Sequence, residues 1–199
     1  MYHQSFPSLS YKRRVIGRRD QEFINRFEAV ERALRPALRP FWRHYFFGNG
    51  SSRTLQQLGV MNRFLAHPNV RRAVRSFELR IGTQASGEIG RRCRANSEAA
   101  TRFNFRFDSR ARVNVISDPD LTGVGRGTLT CRAHVRVNFD CPRQVFSLRT
   151  LLQLNLDDTF EDVRDLRSNQ IGNQELPLGR AFPLRAAWEK PFMINRAAI

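Results

Sequence analysis

The chain has 199 residues, 41% of them hydrophobic; that is enough for one sizeable core and too little for two independent domains. Its formal charge of +16 comes from 34 Lys/Arg against 18 Asp/Glu, and only Lys12 and Lys190 are lysines, so nearly all of the cation is guanidinium. No apolar run approaches the roughly 18 to 20 residues needed to cross a bilayer, so the chain is not expected to be an integral membrane protein by itself.

Residues 1–19, MYHQSFPSLSYKRRVIGRR, hold five cationic side chains, three serines and no acid. This composition fits either a targeting segment of the transit-peptide kind or a basic arm that lies along a partner. From Asp20 onward Phe23, Phe27, Val30, Leu34, Leu38, Phe41 and Tyr45 recur at steps of three and four, a helical stripe. Asp20 is the expected N-cap. Pro36 and Pro40 divide the stripe into a helix ending near Leu34 and a shorter one carrying Phe41, Trp42, Tyr45, Phe46 and Phe47. That aromatic density suits a core, a subunit contact or a membrane boundary.

The turn GNGSS precedes a third helical piece with Leu55, Leu58, Met61 and Leu65, which Pro68 is expected to stop. Phe77, Leu79 and Ile81 alternate with Glu78 and Arg80 and read as a first strand. Residues 83–101 are polar and weakly periodic, so an exposed connection with a basic knot at Arg91, Arg92 and Arg94 is expected. Further strands follow at Phe103–Phe107, at Val113–Val115, at Thr128–Phe139 and at Phe146–Leu156, with turn signals at 118–120, 123–127 and 140–142. The stretch TLTCRAHVRVNF puts Leu129, Cys131, Ala133, Val135, Val137 and Phe139 on one face. Arg132, His134 and Arg136 lie on the other, where Arg102 or Asn104 with Arg106 would line up beside them. Residues 169–199 read as an extended, irregular C-terminal tail.

The fold class predicted is α+β, with N-terminal helices packed on a curved antiparallel sheet. The order of elements over residues 20–168, ending in VFSLRTLLQLNLDDTFEDVRDLRSN, resembles the SnoaL-like, nuclear-transport-factor-like α+β cone. That resemblance implies a sheet closing over the helices and, in some members, a pocket for a small molecule. The interior positions here are Phe, Val and Leu, without the Asp/His or Asp/Tyr pair that enzymes of the family use.

Candidate chemistry is sparse. Cys93, Cys131 and Cys141 are odd in number and widely spaced, which argues against a disulfide framework and against zinc; Cys131 reads as a buried hydrophobe. His3, His44, His67 and His134 share no ligand spacing. The glycines of LTGVGRGT open no helix and fit a hairpin or bulge better than a phosphate loop. The acids Asp157, Asp158, Glu161, Asp162 and Asp165 read as a solvated rim. No catalytic residue, metal or cofactor is expected.

What remains is arginine interleaved with aromatics. Residues 1–110 hold 22 Lys/Arg against 8 Asp/Glu, and residues 111–199 hold 12 against 10. Guanidinium makes planar, two-pronged contacts with phosphate, so Arg13, Arg14, Arg18, Arg19, Arg71, Arg72, Arg91, Arg92, Arg94, Arg132 and Arg136 are the expected anion contacts. The function expected is that of a non-catalytic accessory subunit of a large organellar assembly, at the mitochondrial matrix or the matrix face of the inner membrane. Its partners would be neighbouring subunits and either ribosomal RNA or an anionic lipid such as cardiolipin in a respiratory or ATP synthase complex. A small-molecule cone and a viral RNA-binding coat protein are the alternatives.

Overall fold

The computed structural model describes residues 18–96, 100–160, 170–171, 174–175 and 181–198. It is an α+β fold. Two helices, α1 (Arg18–Ala33) and α2 (Arg39–Phe47), are joined by a short 3-10 turn at Pro36–Leu38. The two-residue strand β1 (Arg53–Thr54), α3 (Met61–Ala66) and the 28-residue α4 (Pro68–Ala95) follow. Long strands β2 (Ala100–Asn114), β3 (Arg126–Asp140) and β4 (Val145–Phe160) come next, then the two-residue pair β5 (Gln170–Ile171) and β6 (Gln174–Glu175), and finally β7 (Phe182–Ala198). The main sheet has the order β1-β7-β4-β3-β2 and is antiparallel except where β1 runs parallel to β7. It stays open: β2 and β1 are its two edges, so the closure expected of a cone does not occur.

Residues 77–81 are not a strand, and 83–95 are not a connection, because both belong to α4. Val70, Ala73, Val74, Phe77, Ile81, Ala85 and Ile89 are buried at helical spacing, while Leu79 is 66% exposed. The apparent alternation spans too few residues to separate period two from period 3.6. The last third of α4 reads as polar since only Ala85 and Ile89 turn inward there. Pro68 does end α3, and it also opens α4 at the first helical position, where its missing N–H costs nothing. The His67 Nδ1 caps that helix by accepting from the Asn69 N–H at 3.2 Å.

Asp20 lies within the first turn of α1 rather than capping it. The two short strands expected between 103 and 115 form the single strand β2. The C-terminal segment is extended, as expected, but is a full strand of the same sheet, not an irregular tail beyond the domain. Phe182, Leu184 and Ala186 are buried, with Pro183, Arg185 and Ala187 exposed between them. Pro183 and Pro191 argue against an inner strand. They are accommodated because β1 covers only Leu184 and Arg185, so over the rest of its length β7 pairs on one side alone.

One face of the sheet makes the core. Along β3, Leu129, Cys131, Ala133, Val135, Val137 and Phe139 are all buried beneath α4, and the residues between them are not. Phe103 and Phe107 of β2 point the same way, Phe107 meeting Phe77 at 6.5 Å between ring centroids. Helix α4 lies along β2: the Asn69 side-chain amide donates to the Asn114 carbonyl at 2.6 Å near one end, and the Arg92 guanidinium stands 4.7 Å over the Phe103 ring near the other. The cysteines correct the expectation of free thiols, since Cys93 and Cys141 form a disulfide that ties the last turns of α4 to the β3–β4 turn. Sequence separation hid this pair; the helix, read as a loop, is what carries Cys93 across the sheet. Cys131 is free and buried as expected, and burial pushes its thiol up to about 11.

The loop between β2 and β3 is shaped by glycine. Gly125 has φ +65°, a conformation that costs a residue with a Cβ about 1–2 kcal/mol, and a Cβ on Gly123 would lie 2.9 Å from the Phe41 ring.

Two outcomes test this arrangement. Ile81→Ala should cost about 2–5 kcal/mol in denaturant unfolding, whereas Leu79→Ala should stay within about 0.5 kcal/mol; a strand at 77–81 would give equal costs. Alkylation followed by mass measurement should label no cysteine in the native oxidised protein, two after mild reduction and three after reduction in denaturant. Cys93→Ser should lower stability by about 2–5 kcal/mol.

Candidate anion-binding surface

The second face of the sheet is covered by no described element. In register across the strands it presents Arg102, Asn104, Arg106, Asp108, Arg110 and Arg112 of β2, then Asn138, Arg136, His134, Arg132 and Thr130 of β3. Next come Ser147, Arg149, Leu151, Gln153, Asn155 and Asp157 of β4, and Met193, Pro191, Glu189, Ala187 and Arg185 of β7. Period two in each strand produces this face, since the apolar half of every alternation is consumed by the core.

Charge on it is poorly balanced. Asp108 accepts from the Arg132 Nε at 3.2 Å. Asp157 and Glu189 lie towards the β7 side, away from the arginines of β2. Arg102, Arg106, Arg110, Arg112, Arg136 and Arg149 have no acidic partner among the described residues. Arg136 and Arg149 stand directly opposite one another across β3 and β4, and Asn104 is the next residue in the same row. Like charges at such a position are unfavourable in a bare sheet; an anion seated between them would reverse the sign. No Phe, Tyr or Trp ring lies on this face among the described residues, because Phe103 and Phe107 are buried and Trp188 turns inward to Phe64 at 6.1 Å; the imidazole of His134 is the ring it presents. The surface can therefore grip phosphates but offers little on which bases could stack.

Other arginines are spent within the fold. Arg63 bonds Asp118 at 2.8 Å and Asp120 at 2.7 Å, and Arg35 reaches Asp120 at 3.4 Å, which together fasten the β2–β3 loop to the helical layer. Arg43 pairs with the buried Glu31 and joins α2 to α1. His44 is buried between the Ser51 carbonyl, 2.8 Å from its Nε2, and the Arg53 Nε, which donates to its Nδ1 at 3.2 Å. It is a structural bridge with no free ring nitrogen.

The predicted anion contacts do not form one patch. Arg13 and Arg14 lie outside the described residues, and Arg18 and Arg19 open α1, with side chains outside the description. Arg71 and Arg72 are exposed at the start of α4, about 30 Å along the helix axis from the knot at Arg91, Arg92 and Arg94. Within that knot Glu88 holds both Arg91 and Arg92, the latter at 2.8 Å, so two of its three charges are partly neutralised. Arg132 and Arg136 are on the open face with the outward arginines of β2. Arg149 and Arg185 belong there too, and reading the sequence missed them because strand register, not spacing, brings them alongside. Their places in the alternations of 146–156 and 182–188 were the available signal.

The aromatics of α2, for which the sequence leaves a core, a subunit contact and a membrane boundary all open, divide between core and surface. Phe41 and Tyr45 are core residues against Phe160, at 5.6 and 5.5 Å, rather than surface contacts. Trp42 and Phe46 pack on Phe27, and Phe47, itself 62% exposed, meets Phe27 edge-on at 4.6 Å. Of the acids expected as a solvated rim, Asp157 is exposed, whereas Asp158 is half-buried with its Oδ2 shielded from solvent; Glu161, Asp162 and Asp165 lie outside the described residues. Thr150 donates its hydroxyl to the His134 carbonyl at 2.9 Å. A shallow hollow of about 140 Å³ lies between α4 and β2, lined by Gln84, Glu88, Arg91, Arg92 and the 103–105 segment. Among the described residues no three His, Cys, Asp or Glu side chains gather as metal ligands, and no helix is long and apolar enough to cross a membrane.

No protein-family model matches the chain, and neither does any curated protein sequence. Among solved structures it is similar to pectocin M2 determined at 2.3 Å, with 16% identity, a TM-score of 0.37 and coverage of 90% of this chain and 59% of that one. It is also similar to pectocin M2 determined at 1.86 Å, with 15% identity, a TM-score of 0.34 and coverage of 90% and 64%. The chain thus spans less than two thirds of pectocin M2. Fold and surface together define a class and no more: an α+β protein with one helical layer and an open sheet whose free face is rich in arginine.

The loop anchor is acid-sensitive. Hydrogen bonding to the Arg63 guanidinium holds the Asp118 carboxyl below its ordinary range. A carboxylate with a lowered folded pKa stabilises above its unfolded pKa and loses that contribution as pH falls through the folded one. Asp118→Asn should therefore melt lower than the parent at pH 7, with the difference narrowing from about pH 4 downward, as thermal scans across pH would show.

Proposed function

We propose that this protein is a non-catalytic accessory subunit of a larger assembly, resting its open sheet face on the phosphates of RNA. The observation carrying this reading is the cross-strand pair Arg136 and Arg149, retained without a described counter-charge in a face bordered by Arg102 and Arg106. A solvated sheet face needs polar residues but not these, and opposed guanidiniums cost stability unless an anion joins them. With no Phe, Tyr or Trp on the face among the described residues, affinity would follow phosphate density and salt more than base sequence.

A second reading replaces RNA by an anionic lipid surface such as one rich in cardiolipin. It is favoured by Leu151 and Met193, which are 44% and 55% exposed on the same face beside Arg149. The Cys93–Cys141 disulfide favours an oxidising compartment over the reducing matrix for either reading.

The deciding experiment compares Arg136→Thr/Arg149→Thr with the parent, using a fluorescent RNA duplex and, separately, vesicles with and without cardiolipin. Binding to RNA should weaken, and the slope of log K against log salt should flatten by about 1.4–1.8 for two lost phosphate contacts. Stability without ligand should hold or rise by about 0.2–1 kcal/mol as the like-charge pair disappears. Equal RNA binding by both proteins would remove this face from the account, and an effect confined to cardiolipin vesicles would transfer it to the lipid reading.

A further inference from the structure

The outer edge of β2 pairs with nothing among the described residues, and it is an unusual edge. It runs for 15 residues, contains no proline, and keeps unbroken register with β3 from Ala100 to Asn114, so no bulge turns it away. On the opposite side β1 covers only Leu184 and Arg185 of β7, and the rest of that open edge is interrupted by Pro183 and Pro191. A long flat edge leaves a row of main-chain N–H and C=O groups ready to accept another strand.

Arginine is densest on one side of this edge. On the open face stand Arg102, Arg106, Arg110 and Arg112. On the helical face the Arg80 guanidinium donates to the Ser109 hydroxyl at 2.8 Å, and Arg92, paired with Glu88, lies over Phe103. The sole acid of β2, Asp108, is held by Arg132 from the inner neighbour β3. A second copy of this chain adding antiparallel to β2 would bring arginines opposite arginines, which opposes self-pairing. The same charges favour a strand whose outward residues are acidic, because each cross-strand pair then becomes an attraction.

We infer that the β2 edge is a docking site for an extended acidic segment of a partner protein, which adds to the sheet as a sixth strand beside β2. Main-chain hydrogen bonds supply the affinity, and the arginine row on the open face selects the charge. The site shares the outward arginines of β2 with the phosphate face, but it needs a polypeptide backbone and the phosphate face does not.

The test uses the full chain with its disulfide intact and a labelled nine-residue peptide alternating Glu and Val. Three controls accompany it: the same peptide N-methylated at alternate residues, a Lys/Val counterpart, and the protein alone in sedimentation. The Glu/Val peptide should bind at least about tenfold more tightly than the N-methylated or the Lys/Val peptide, and it should slow amide hydrogen exchange within 100–114. Equal binding of the N-methylated peptide would mean charge alone, and no binding would mean no site; either overturns the inference. A dimer whose 100–114 amides are already protected without peptide would assign the edge to a second copy and overturn it as well. Arg136→Thr/Arg149→Thr should still bind the peptide, so failure of the phosphate reading leaves this result independent.

Discussion

The structure depends on α4 lying against one side of the long-stranded sheet. Phe77, Ile81, Ala85 and Ile89 are fully buried there, opposite strand residues that are equally buried, and the disulfide from Cys93 to Cys141 secures the far end. The smaller helices fill the other end, where Phe41 and Tyr45 meet Phe160 and His44 meets Phe182. Burial of this apolar surface supplies the driving force, and one helical layer is enough to absorb it. Among the described residues no helix covers the second face of the sheet.

That asymmetry explains how the arginines divide. Those near the helical layer, such as Arg43 and Arg63, are matched to carboxylates and fasten one element to the next. Those on the outward half of β2, β3 and β4 have almost no acids to meet. A fold can tolerate a few like charges at strand spacing in high dielectric, where each repulsion is small. It has no reason of stability to align them.

Much of this was legible in the chain. The stripe from Phe23 to Tyr45 and the breaks at Pro36 and Pro40 marked the first two helices, and the strict alternation at 128–139 marked β3 with its correct inner and outer residues. The errors share one cause. Phe77–Leu79–Ile81, Cys93 and the 182–198 strand each have a local pattern compatible with two structures, and only a packing partner selects between them. Leu79 looks like a core residue until Phe77 and Ile81 are seen to be on one helical face and Leu79 off it. Pro183 and Pro191 look like breakers until the short β1 leaves their side of β7 unpaired.

The sequence by itself determined the α+β class, the cationic excess, its arginine character and the two-sidedness of the strands. Those properties follow from composition and from periods of 2 and 3.6, which act over a few residues. Tertiary structure alone decided which arginines share a surface, that Cys93 reaches Cys141, that the C-terminal strand belongs to the sheet, and that the sheet remains open with β2 at its edge. Register and pairing are contacts between residues distant along the chain, as Arg149 opposite Arg136 and Lys190 beside Glu78 illustrate. No local period encodes them, because their free energy appears only when the two segments meet.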